Sequence, residues 1–86
     1  MELVITDTAK EDIRFFIKSG QSKIVKKIEK LLTSIEETPF TGVGKPEPLK
    51  HNYSGKWSRR ITDEHRIIYG VEGEIVYIYS FKGHYK

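Results

Sequence analysis

KWSRRITDEHRIIYGVEGEIVYIYSF, residues 56–81, is the stretch that decides the fold. It divides into three extended runs, 56–62, 65–71 and 74–81, dominated by the β-branched and aromatic residues that suit a pleated surface. Asp63-Glu64 joins the first two runs and a turn at Glu72-Gly73 joins the last two. Runs connected this tightly pair antiparallel. Side chains alternate faces along a strand, so the length of the first loop determines which residues become neighbours. A two-residue loop sets Ile61 opposite Arg66 and Arg60 opposite Ile67, with the two arginines on opposite faces. A three-residue loop, 62–64, sets Arg60 opposite Arg66, on a face shared with Ser58, Ile68 and Gly70. Trp57, Ile61, Ile67, Tyr69 and Val71 then gather on the other face, with Arg59 and His65 near its edge.

Upstream, residues 2–5 read as a short strand. Thr6, Asp7 or Thr8 can cap a helix, and Thr8 with Glu11 has capping-box spacing. Ala9, Ile13, Phe16 and Ile17 fall on one helical face before Ser19-Gly20 ends it. A second helix follows, with Ile24, Val25, Ile28, Leu31, Leu32 and Ile35 at amphipathic spacing, and Pro39 closes it. Residues 40–54 read as loop, Gly42-Val43-Gly44 as a flexible turn, Trp57 and Ile61 as core, and Tyr77, Tyr79 and Phe81 as packing residues. The order β-α-α-β-β-β implies an α+β fold, two N-terminal helices on one face of a mainly antiparallel sheet. With 86 residues and no repeat or composition break, a single domain over 1–86 is expected.

Composition excludes several classes. There is no cysteine, so disulfides and thiolate metal sites are excluded. The apolar run at Leu3–Ile5 is too short for a signal-peptide core, and no segment is long enough to span a membrane, so a cytoplasmic protein is expected. Residues 45–66 hold six Lys or Arg against three acids, which matches the whole net charge of +3. Such a concentrated basic segment is either a solvated face or a phosphate-binding surface.

Within that segment GKPEPLKHN, residues 44–52, sets Glu47 between two prolines and close to Lys45, Lys50 and His51. Two prolines in three residues exclude a helix interior or a central strand. A carboxylate, a histidine and arginines suffice for RNA cleavage without a metal or other cofactor. A base takes the 2′-hydroxyl proton, an acid protonates the leaving 5′-oxygen, and arginine stabilises the phosphoryl charge. The residue types alone are common to many small basic proteins. A salt bridge from Glu47 to Lys45 or Lys50, and solvated arginines at 59, 60 and 66, account for them equally well.

The block TPFTGVGKPEPLKHNYSGKWSRRITDEHRIIYGV, residues 38–71, with EDIRFF at 11–16 and HY at 84–85, resembles the YoeB-type mRNA interferases, toxins of the RelE superfamily. The resemblance implies a RelE-like fold and cleavage of mRNA in the A site of the bacterial 70S ribosome. It also implies inhibition by a YefM-type antitoxin, and a homodimer. Residue by residue, it implies Glu47 as general base, His84 as general acid and Arg66 as the stabiliser of the pentavalent phosphate. Arg60 is implied as a second phosphate ligand, Lys50 as a lysine near substrate, and Tyr85 as a ring stacking on a base. If these residues share one surface, the odd-length loop at 62–64 is required. The rival readings are a non-catalytic inhibitor on the same fold, such as a ParE-like gyrase poison, and a plain RNA-binding module. A pure binder needs no proton acceptor in a basic cleft.

Overall fold

The structure, a computed structural model, describes residues 1–83. Strand β1 (Glu2–Ile5) leads into helices α1 (Asp7–Lys18) and α2 (Ser22–Glu37). Strands β2 (Glu47–Pro48), β3 (Lys56–Arg60), β4 (Arg66–Glu72) and β5 (Ile75–Gly83) follow, with a 3-10 turn at His51–Tyr53. The sheet order is β1-β5-β4-β3-β2, antiparallel except for the parallel β1–β5 pair. The segment 40–54 is therefore not wholly loop. It contains β2, and the prolines fit there because β2 is the sheet's edge strand.

Helix α1 starts at Thr6, whose Oγ1 accepts from Ala9 N at 3.3 Å and donates to Ile78 O at 2.8 Å. One hydroxyl thus caps the helix and ties it to β5, and Thr8 lies inside the helix instead of at its cap. Ser19 closes α1, and Gly20 turns at φ 72°, in the left-handed region. The helices bury Ala9, Phe16, Ile28, Leu31 and Ile35 against Ile61, Ile67, Tyr69, Val76, Ile78 and Phe81. Ile17 departs from the sequence expectation and is exposed. Tyr77 and Tyr79 also depart from it. Val76 and Ile78 fill the core, and the two tyrosines stand on the face away from the helices.

The register between β3 and β4 is that of the odd loop. Arg60 pairs with Arg66, Ser58 with Ile68 and Trp57 with Tyr69, and both Ile61 N and Thr62 N donate to His65 O. Thr62 Oγ1 accepts from Glu64 N and His65 N, which satisfies the tight turn from within.

Arg59 is completely buried, not marginal. Its Nε donates to Tyr69 Oη at 3.2 Å and Nη1 to Ser34 Oγ and Val43 O at 2.6 and 3.0 Å. Nη2 donates to Thr38 O and Thr41 O at 2.6 and 2.7 Å. Every guanidinium N–H has an acceptor, and the charge sits at the C-terminal, negative end of α2. Tyr69 Oη in turn donates to Pro39 O at 2.6 Å. The Gly42-Val43-Gly44 turn is not a loose one. It wraps this group at φ 116° and 85° for the two glycines, and a Cβ on Gly42 would lie 2.6 Å from Ser34 Oγ.

Arg59→Met should therefore destabilise the chain by roughly 3 kcal/mol or more, since several charge-assisted bonds are lost and their acceptors stay buried. Arg59→Lys, with three donors on a point charge, should recover less than half of that. Urea unfolding with an unchanged slope checks both. Burial raises the Tyr69 pKa above its ordinary value, and the hydrogen bond and positive charge of Arg59 partly offset the rise. Its contribution to stability is complete below about pH 10 and is lost as pH rises through the higher folded-state value. The thermal midpoint should fall in that alkaline range, and by less in Tyr69→Phe.

Candidate active site

Strand register alone brings three of the six sequence-predicted site residues, Glu47, Arg60 and Arg66, onto one face. Glu47 pairs with Ser58, and Ser58 with Ile68, forming one row across three strands. Two residues further along β3 lies the next row, Arg60, Arg66 and Gly83, also on adjacent strands. Glu47, Arg60 and Arg66 thus point from the sheet face that the helices leave open.

Each position has a local cause. Arg60 N donates to Gly44 O at 2.7 Å, which pins the glycine loop to β3 just before the chain turns into β2. Gly44 packs so closely that a Cβ there would lie 2.6 Å from Leu31 Cδ2. Lys45 follows at φ 53°, a conformation that costs a non-glycine residue on the order of 1 kcal/mol. Glu47 is exposed and makes no ion pair among the described residues, so a salt bridge to Lys45 or Lys50 does not explain it. Beyond Pro48, Leu49 is buried and its N–H donates to Lys56 O at 2.9 Å, which holds the ladder together up to Lys50. Lys50 is exposed, and His51 after it has φ 57°.

Arg60 and Arg66 are half-buried and directly opposed, and neither has a carboxylate partner among the described residues. Arg60 Nε and Ser58 Oγ are buried and make no hydrogen bond within that same set. Two adjacent guanidinium groups with uncommitted donors repel each other, and an anion between them relieves the repulsion. His65, by contrast, faces the helices, where its ring meets Phe16 edge-on at 5.2 Å. His84 and Tyr85 lie outside the described residues. The strand that precedes them ends at Gly83, opposite Arg66.

One residue that sequence reading passed over helps to place that strand end. The β4–β5 ladder is irregular between Arg66 and Tyr69, and Asp12 of α1 repairs it. Asp12 Oδ2 accepts from Phe81 N at 2.9 Å and Ser80 Oγ at 3.2 Å. A carboxylate at a half-buried position of an otherwise amphipathic helix is a weak signal, and nothing in its spacing names the partner. Gly83 has a close neighbour as well, because a Cβ there would collide with Ile68 Cγ1. Its small size has a packing reason beyond flexibility. Among the described residues no group of three or more His, Cys, Asp or Glu side chains stands together as a metal site would require.

Two helices on one face of a five-stranded mixed sheet is the fold of the RelE-like toxins YoeB and YafQ. Residues 5–85 match the profile of the YoeB-like toxin of bacterial type II toxin-antitoxin systems, and the chain belongs to that family. It is 45% identical to Toxin YoeB of Escherichia coli strain K12 over 99% of this chain and 100% of that one. A YoeB/ParE toxin from Agrobacterium tumefaciens superposes with a TM-score of 0.91 at 41% identity, covering 99% of this chain and 100% of that one. YoeB of Staphylococcus aureus is 42% identical over 99% of this chain and 98% of its own. It superposes with TM-scores of 0.87 as a dimer and 0.85 in a heterotetrameric complex with YefM.

Asp12→Ala should cost about 1–3 kcal/mol by leaving a buried N–H without an acceptor. Amide exchange at Phe81 should accelerate while that of β1 stays unchanged. Asp12→Asn, which keeps an acceptor oxygen, should retain most of the protection.

Proposed function

We propose that this toxin is an endoribonuclease that cleaves mRNA in the A site of the ribosome, using its own side chains as acid, base and phosphate ligands. The observation that carries this reading is the pair of opposed arginines, one residue pair along the sheet from an exposed Glu47, with none of the three in an ion pair among the described residues. A plain RNA-binding surface has no use for that carboxylate, which would repel the ligand.

In the proposed reaction Glu47 takes the proton of the 2′-hydroxyl. The oxygen attacks the adjacent phosphorus in line. Arg66, with Arg60 beside it, binds the phosphoryl oxygens as negative charge builds on them. His84 then gives its proton to the departing 5′-oxygen, and the products are a 2′,3′-cyclic phosphate and a 5′-hydroxyl. Glu47 and Arg66 stand two strands apart, roughly 10 Å, and are offset by one two-residue step of roughly 7 Å. A phosphodiester and its flanking sugars fill that gap. Lys50 supplies a further cation near the substrate, and Tyr85 a ring for stacking on a base. Gly83 ends β5 in the arginine row, and His84 and Tyr85 follow it in the sequence.

The same basic face is a target for an acidic antitoxin segment of the YefM type, which would silence the toxin by covering Arg60 and Arg66. The Staphylococcus aureus relative pairs with YefM and also forms a dimer, and we extend both associations to this chain.

Glu47→Ala, Arg66→Ala and His84→Ala should each lower cleavage by about 10²–10⁴-fold while leaving the fold intact. Primer-extension mapping of cut sites in a translating bacterial extract reads the effect. Parent-level cutting by all three variants would overturn the assignment.

A further inference from the structure

The open sheet face continues past the Glu47 row, away from the arginines. Lys56 pairs with Gly70, and Gly70 with Tyr77, which makes a third row on the same face. Tyr77 and Tyr79 lie near-parallel, 21° apart with centroids 6.5 Å apart. The Tyr79 ring crosses Gly70, where an added Cβ would lie 3.2 Å from Tyr79 Cε2. Lys56 Nζ sits 4.8 Å from the Tyr79 ring centre and 5.9 Å from that of Tyr53. The two rings hold the ammonium through cation–π attraction. Tyr53 is exposed, and Tyr77 and Tyr79 are half-buried.

Val76, Ile78 and Phe81 of the same strand pack in the core under the helices. These tyrosines stand on the other side, beside a lysine held in place. Aromatic planes interleaved with a cation are what a single-stranded nucleic acid binds: bases stack on the rings and a phosphate meets the cation. Lys56 and Arg60 are four residues apart on β3, roughly 13 Å. That is too far for one phosphate to reach both, and suits a nucleotide further along the same strand. We propose that Tyr77, Tyr79 and Lys56, with Tyr53 at the rim, form a second subsite that binds the single-stranded RNA flanking the scissile phosphate. The subsite rests on the RNA-cleaving reading above. It adds a sequence-tolerant grip, since every base offers a stacking face.

The test is an NMR titration of the full chain with a 2′-O-methyl RNA decanucleotide and with a 2′-O-methyl dinucleotide, neither of which has a nucleophilic hydroxyl. The decanucleotide should shift the ring resonances of Tyr77 and Tyr79. Tyr79→Leu should weaken its binding about 5- to 150-fold, whereas Tyr79→Phe should bind like the parent. Lys56→Gln should lower the slope of log affinity against log salt by about 0.7. Dinucleotide binding at the arginine row should be unaffected by all three substitutions. Lys56→Gln keeps the aromatic packing, so it remains informative if Tyr79→Leu unfolds. The subsite is overturned if the parent does not bind the decanucleotide, or if the variants bind it as the parent does. It is equally overturned if both oligonucleotides weaken alike, or if only an acidic antitoxin peptide loses affinity. Parent chain that cuts mRNA while Tyr79→Leu and Lys56→Gln bind normally removes the subsite alone. Ring shifts with no mRNA cutting by the parent remove the cleavage reading and leave the subsite standing.

Discussion

A guanidinium buried at the C-terminal end of α2 ties helix, loop and sheet together at one point. Arg59 stands on β3, is fully buried, and donates to Ser34 on α2, to three carbonyls of the segment 38–43 and to Tyr69 on β4. An ion taken out of water costs several kcal/mol unless its bonds are remade. Here they are remade by carbonyl and hydroxyl oxygens, and by the negative end of the helix. The arrangement has little tolerance. Ser34, the carbonyls, Gly42 and Tyr69 must all arrive together, which couples helix, loop and sheet in one closure.

The face that carries the candidate site depends on that closure through strand alternation. Ser58, Arg59 and Arg60 point out, in and out again, so the residue that anchors the core sits between two that face the site. The loop held by Arg59 continues through Gly44, bonded to Arg60 N, into the proline-flanked edge strand that carries Glu47. Four residues that would otherwise answer to separate loops, Glu47, Arg60, Arg66 and Gly83, are thereby set in two adjacent rows of one sheet. A β-sheet suits this purpose because its register is quantised: a one-residue slip would turn Arg60 or Arg66 into the core.

Much of this was legible because its physical signals are local. Helical spacing from Ile24 to Ile35, the proline after Thr38 and the alternation along 56–81 each mark an element without knowledge of its partners. The odd loop at 62–64 was legible for another reason, since chemistry on one face demanded it. Arg59 was not legible, because an arginine on an apolar face becomes a buried hub only when five acceptors converge from distant positions. The same holds for Asp12, whose partner is an amide on β5. The face on which Tyr77 and Tyr79 stand is not legible, because a β-bulge-like shift in β5 and a glycine on the neighbouring strand decide where their rings go. The Glu47 strand is not legible, because two paired residues with a proline carry almost no strand signal.

In the reaction proposed above, Glu47 accepts the proton of the substrate's own 2′-hydroxyl, Arg60 and Arg66 bind the phosphate, and His84 is the proton donor. The chemistry of the fragment ends tests that claim most directly, because it records which oxygen attacked the phosphorus. Fragments of ribosome-bound mRNA cut by the parent chain should carry a 5′-hydroxyl downstream and a 2′,3′-cyclic phosphate or its 3′-phosphate hydrolysis product upstream. A 5′-phosphate on the downstream fragment, left by attack of water with departure of the 3′-oxygen, would contradict it.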